Sequence, residues 1–331
     1  MKAFTLAAAG LVAWTSAAAA EIGPLITPND LANLIDSDSD SDSGSGSDTG
    51  TSAPLVLDIR AARASQGANA AGTFAAGHIP GAVNAPYGAF RGPEENPGQV
   101  PGETYLTELL QGLGVTAERP VVVVHQGRSE TDFGAAARVY WTLKSSGLSE
   151  LAILNGGVAA WQKAGLAVST DAAAPQKSEF EVTWNPRWTA TEATVQAIVA
   201  GEDRGLLLDA RPESFWAGNE SHSAAARPGT LPQSQYFEHA GWFTEGPAIV
   251  DAAAARALAE AEGFADADQL VSFCNTGHWA ATNWFALSEL AGIDNVKLYP
   301  ESMVGWSNAG HEMANVPGLF RNLWNQVRGV F

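Results

Sequence analysis

The chain spells the same pattern twice. PLVLDIR at residues 54–60 returns as LLLDAR at 206–211, and PVVVVHQG at 120–127 returns as QLVSFCNTG at 269–277. ARVYWTLKSSGLSELAILNGGVAAW at 137–161 then returns as ATNWFALSELAGIDNVKLYPESMVGW at 281–306. Several elements in one order, each about 150 residues from its copy, are a duplicated domain rather than a solenoid. Within each copy, short leucine and β-branched runs bounded by turn residues read as buried strands, and the segments between them carry helical apolar spacing. Strands alternating with helices predict two α/β domains, each a mostly parallel sheet with helices on both faces.

The remaining segments set the boundaries. MKAFTLAAAGLVAWTSAAAA at 1–20 has a lysine, an apolar run and a small-residue end, the layout of a cleaved secretory signal. No later run is apolar and long enough to span a bilayer. A soluble exported protein, periplasmic or secreted, is expected. The first domain is placed at 21–170, a polar linker at 171–182 and the second domain at 183–331. DSDSDSDSGSGSDTG at 36–50 lacks apolar residues and is expected to form a flexible insertion in the first domain. The balance of 36 acidic against 18 basic residues, net −18 at pH 7, repels polyphosphate and disfavours nucleic acid and anionic membrane surfaces as partners.

Cys274 is the only cysteine, so it forms no internal disulfide, and the six histidines show no spaced metal-ligand cluster. It follows an apolar strand and precedes the helical segment that begins near Ala280, at the carboxyl end of a parallel strand where open α/β sheets bind ligands. A short loop there gathers backbone N–H groups into an anion nest, which favours a thiolate. Gly277 accepts positive φ and a close anion. Thr276 has two readings, a donor to an oxyanion or a helix cap. His278 reads as a partner of the thiolate, a substrate-orienting group or a partly buried polar residue, and Trp279 as a wall. From the residues alone Cys274 is a nucleophilic thiol in an anion-binding loop, with ester hydrolysis, redox exchange and sulfur transfer all open.

Taken together, VLDIR (56–60), AGHIPGAVNAPY (76–87), LNGGVAAW (154–161), LLDAR (207–211) and the loop CNTGHWA (274–280) resemble the tandem-domain rhodanese family of thiosulfate and 3-mercaptopyruvate sulfurtransferases. The resemblance implies that Cys274 accepts a sulfane sulfur as a persulfide, cradled by the amides of 275–280, and passes it to cyanide or a thiol. It implies no cofactor, no metal and a monomer. The first copy, with Gln126 set opposite Cys274, is expected to be silent. Asn275, Thr276, Gly277, His278, Trp279 and Ala280 are expected to bind substrate, with Arg211, Arg227 and Ser302 as further candidates. Asn275 and Thr276 stand where thiosulfate-selective members carry cations, and Phe215 stands where an arginine is expected. Arg211 also reads as a strand-end tie to Asp209, because Arg60 and Asp58 recur in the copy without a thiol. Two alternatives remain: a sulfur carrier loaded by a protein partner, and a phosphatase, disfavoured because the loop lacks a closing arginine.

Overall fold

The computed structural model describes residues 22–41, 53–64 and 71–318. The expected signal segment and residues 42–50 of the Asp/Ser run lie outside the described residues. In the first half, strands β1 (Leu25–Ile26), β2 (Leu55–Asp58), β3 (Val83–Asn84), β4 (Val121–Val124) and β5 (Leu151–Leu154) are accompanied by helices α1 (Pro28–Ser41), α2 (Glu103–Gly112), α3 (Glu130–Ser145) and α4 (Gly157–Lys163). The second half supplies β6 (Leu206–Asp209), β7 (Gln235–Tyr236), β8 (Leu270–Phe273) and β9 (Val296–Leu298). Its helices are α5 (Glu192–Val199), α6 (Glu213–Trp216), α7 (Ala252–Ala261), α8 (Trp279–Trp284) and α9 (Ser302–Asn308).

The first sheet has the order β1-β5-β4-β2-β3 and the second β7-β6-β8-β9, so the four strands of the second correspond one for one to four of the first. Every ladder is parallel. The place of β1 is taken in the second half by a single parallel bridge from Thr189 to Leu298. Both sheets have helices on both faces, as the continuous apolar strands require. Alternation along the strands sorts the side chains: Val56, Val122, Val124 and Leu154 face α1 and α4, whereas Leu55, Leu57, Val121 and Val123 face the other half.

That inner face is one continuous core. Helix α3 lies against α8, and Tyr140 meets Phe285 edge-on with ring centroids 5.0 Å apart. Tyr140 also donates to Glu289 Oε2 at 2.9 Å, and Lys144 Nζ pairs with the same oxygen at 2.7 Å. Each buried aromatic removed from water contributes about 1.5–3 kcal/mol, so the aromatic cluster rather than the ion pair dominates this seam. Helix α8 continues as a π-helical segment, Phe285–Leu290, along it. Segment 171–185 contains no helix or strand and is tied to the first half, with Asn185 N on Ser145 O at 2.7 Å and Ser178 N on Gln111 O at 3.0 Å.

One expectation is corrected. Residues 36–41, expected to be flexible, are the last six of α1. Once Leu31 anchors the first turns in the core, each further helical residue adds a hydrogen bond without a new nucleation cost, and the polar run continues the helix.

Candidate active site

Cys274 follows β8 directly and is 1% exposed. Its loop is held from one side by α9. Ser302 Oγ accepts from the amides of Cys274 at 3.0 Å and Gly277 at 3.2 Å and donates to Tyr299 O at 2.7 Å. The amides of Met303 and Val304 donate to the carbonyls of Cys274 and Asn275. Ser302 does this at φ +51°, a left-handed conformation for which the matching residue in the first half is Gly157, at φ +62°. Gly277 sits at φ +67°, and a Cβ there would collide with the Arg138 guanidinium and the Pro300 carbonyl. Glycine is therefore required.

This geometry amends the amide cradle. Gly277 N is consumed by Ser302, while the amides of Asn275, Thr276, His278, Trp279 and Ala280 meet no acceptor among the described residues. These remain to face an anion beside the sulfur. The repeat also needs a one-residue correction. Strand register sets Phe273 opposite Asp209 and Val124 opposite Asp58, so the residue after each strand matches Cys274 to His125 and Asn275 to Gln126. The side chains agree: Arg60 Nη1 donates to Gln126 Oε1 at 3.1 Å, as Arg211 Nη1 does to Asn275 Oδ1 at 3.2 Å. Matching loop letters misaligned the copies, because hydrogen-bonded register and not letter similarity sets equivalence.

Beneath the loop lie two cations from the first half. Arg91 Nη1 donates to Thr276 O at 2.9 Å and to Tyr87 Oη at 2.9 Å. Arg138 is fully buried and has no carboxylate within ion-pair distance among the described residues. It donates to Gly98 O at 2.9 Å and, at a long 3.4 Å, to Gly277 O, and stacks over Trp141. Burial pushes its pKa down to about 9, Arg91 lowers it further, and Tyr87 and Cys274 oppose this. Arg138 is therefore cationic at neutral pH, and a negative charge on the Cys274 sulfur and this guanidinium stabilise each other.

His278 is fixed at both nitrogens. Nε2 lies 2.8 Å from Thr131 O and must carry the proton, which leaves Nδ1 to accept from Tyr87 Oη at 2.9 Å. Burial, then the neighbouring Arg91, pushes its pKa down to about 4, so the ring is neutral. It is a strut between the halves, with no free nitrogen to take the thiol proton. Trp279 is a wall, stacked on His239 at 5.2 Å, with Nε1 donating to Thr131 Oγ1 at 3.2 Å and Phe215 against its edge.

A cavity of about 230 Å³ opens onto the sulfur, lined by Cys274, Asn275, Thr276, His278, Trp279, Thr131 and His222. Its lining contains no arginine or lysine. Arg211 lies behind the loop rather than in the cavity lining, clamped bidentate on Asp209 (2.7 Å to Oδ2) and donating to Gly229 O and to Asn275 Oδ1 of the loop, as Arg60 is on Asp58, Gly77 O and Gln126 Oε1. Arg227 is exposed and donates to the His311 carbonyl. Ala280 is buried in α8 and offers only its amide. Of the residues expected to bind substrate, the structure brings Asn275, Thr276, His278 and Trp279 to the sulfur, while Ser302 and Gly277 shape the loop from behind. Sequence reasoning missed His222, Thr131, Tyr87, Arg91 and Arg138. No local pattern marks them, although Tyr87 ends the AGHIPGAVNAPY motif.

Among the described residues no helix is long and apolar enough to cross a membrane. The rhodanese-like domain model matches residues 30–164 and 192–309. The chain is 26% identical to the 3-mercaptopyruvate sulfurtransferase of Escherichia coli (strain K12), across 76% of this chain and 88% of that protein. It is 24% identical to the sulfur carrier protein TtuD of Thermus thermophilus, across 62% and 74%. The solved structure of the anaerobic ergothioneine biosynthesis enzyme from Chlorobium limicola superposes with a TM-score of 0.73 at 19% identity, covering 89% of this chain and 71% of that one, a likeness of fold. With two matched domains spanning most of its length and a single thiol at the end of the second domain's β8, the chain belongs to the rhodanese family.

Proposed function

We propose that this protein is a sulfurtransferase that carries a sulfane sulfur on Cys274. The thiolate attacks the outer sulfur of thiosulfate or the thiol sulfur of 3-mercaptopyruvate. A Cys274 S–S bond forms, the donor's bond to that sulfur breaks with its electron pair, and sulfite departs, or the enolate of pyruvate, which takes up the proton given up by the donor thiol to leave as pyruvate. An acceptor, cyanide or a thiol, then attacks the terminal sulfur, forming thiocyanate or a new persulfide and returning the Cys274 thiolate. The observation that carries this reading is the buried thiol set against unpaired loop amides with two first-half cations behind them. Each half-reaction gathers negative charge on sulfur, which fixed amide and guanidinium dipoles stabilise without reorganising.

A second reading is favoured by one feature, the small cavity lined by neutral side chains. Doubly charged thiosulfate gains less there than in a site with bidentate arginines, which suits sulfur delivered by a protein partner, as a carrier would receive it. Cleavage of the N-terminal segment and a place in the periplasm or outside the cell as a monomer complete the proposal. Intact mass before and after each donor tests it: one added sulfur, removed by cyanide and absent from Cys274→Ala, is expected. Turnover by Cys274→Ala at the parent rate would refute both readings, and loading only by a protein donor would select the carrier.

A further inference from the structure

His222 lines the Cys274 cavity without a part in holding the loop. It lies between α6 and β7 and is partly buried. Its Nδ1 accepts from the amide of Ala224 at 3.1 Å, so in the neutral ring the proton sits on Nε2, at the edge remote from that backbone. Burial, then the Arg91 charge, pushes its pKa down, which keeps the ring neutral at pH 7. Among the described residues Nε2 meets no acceptor.

The other side-chain nitrogens of the lining are mostly engaged. His278 is held at both nitrogens, and Trp279 Nε1 donates to Thr131 Oγ1. Asn275 has its oxygen on Arg211, which leaves its NH₂ to donate. Beside the loop amides, a ligand therefore meets two side-chain nitrogen donors, His222 Nε2 and Asn275 Nδ2, and neither carries charge. The surrounding charges limit what such a ligand can bring. Arg91 and Arg138 place two cations behind the loop, and the attacking Cys274 thiolate offsets one of them. Arg211 is cancelled by Asp209. Glu130 acts on His239, which stacks on Trp279, and so adds negative charge on that side. At most one positive charge is left for a donor.

We propose that His222 is a catalytic residue that donates from Nε2 to the leaving oxygen of the sulfur donor, and that the site takes small organic thiosulfonates, which carry one negative charge, over the thiosulfate dianion. The role rests on Cys274 acting in sulfur transfer. The thiolate attacks the outer sulfur of R–SO₂–S⁻, a Cys274 S–S bond forms, and the R–SO₂ bond to that sulfur breaks with its electron pair to release R–SO₂⁻. The outer sulfur keeps its charge as the persulfide, and the thiolate's charge ends on the sulfinate oxygens. A fixed neutral N–H beside those oxygens stabilises the charge as it arrives. Trp279 supplies apolar wall for the R group, which thiosulfate lacks. The second charge of a sulfite leaving group finds no cation in the lining.

The contact and the chemistry are tested apart. The full chain bearing Cys274→Ala, which cannot take up sulfur, is titrated calorimetrically with the leaving group methanesulfinate. One-to-one binding is expected, weakened about tenfold by His222→Leu and largely restored by His222→Gln, which keeps an N–H donor. Circular dichroism verifies that each variant is folded. No saturable heat, or an affinity unchanged in His222→Leu, overturns the proposal whatever Cys274 does. In the chain that keeps Cys274, intact mass follows persulfide loading from methanethiosulfonate and from thiosulfate, each rate taken relative to its reaction with free cysteine in water. Loading from methanethiosulfonate is expected to be favoured about tenfold, and His222→Leu to lower its rate at saturating donor, as loss of a transition-state contact does. Equal relative rates overturn the donor class and leave sulfur transfer standing. Loading by neither donor, with methanesulfinate still bound through His222, refutes sulfur transfer from such donors and the catalytic role with it.

Discussion

Acid titration of His125 offers a quantitative check of the buried imidazole. In an unfolded chain histidine titrates near 6.5, whereas in the folded protein His125 is held at about 4. Between those values the unfolded chain binds the extra proton, so stability falls as the pH drops from about 6.5 towards 4 and is unaffected by this group above about pH 7. Going from pH 7 to pH 5 protonates the unfolded ring almost fully and the folded one hardly at all, a loss of about 2 kcal/mol. His278, also held at about 4, adds a loss of the same sign. Urea unfolding followed by tryptophan fluorescence at both pH values, in the parent and in His125→Leu, isolates the first contribution. The variant is expected to lose about 2 kcal/mol less than the parent on acidification. Equal losses in the two proteins would refute a neutral, desolvated His125.

Other perturbations address the loop. Arg138→Met removes the buried cation behind Cys274 and is expected to slow persulfide loading, with the circular dichroism spectrum retained; an unchanged rate would show that this charge does not act on the sulfur. Ser302→Ala strips two buried amides of their acceptor and is expected to cost about 1–3 kcal/mol in chemical denaturation and to slow persulfide loading. Ser302→Gly loses the same hydroxyl but accommodates φ +51°, so it is expected to be more stable than the alanine variant by about 1 kcal/mol, and the reverse order would argue against strain at this turn. Gly277→Ala forces a Cβ against the Arg138 guanidinium and the Pro300 carbonyl, and loss of sulfur transfer with a lowered melting temperature is expected. Parent-like activity in that variant would mean the loop relaxes freely.

The strands were legible because their signal is local: VVVV and LVSF are buried on both faces, and a parallel sheet covered by helices produces such runs. Duplication was legible for the same reason, since matching runs recur at constant spacing. The equivalence of individual loop residues was not. Cys274 was set against Gln126, and only the ladder and the Arg60 and Arg211 hydrogen bonds show His125 in that place. The start of the Asp/Ser run misled in another way, because composition reports what a segment buries by itself and not that an anchored helix can extend into its first residues, 36–41.

By itself, then, the sequence determined two α/β repeats, one thiol and its place at the end of a strand, all carried by short-range patterns of apolarity and turn residues. Tertiary structure decided what surrounds that thiol. Tyr87, Arg91, Thr131 and Arg138 reach the loop from the other half of the chain, and Arg211, clamped on Asp209, touches it only from behind through Asn275. Contacts between residues so far apart in sequence exist only once α3 and α8 have packed, because the burial that joins the halves, not the local spelling of either, sets which side chains meet.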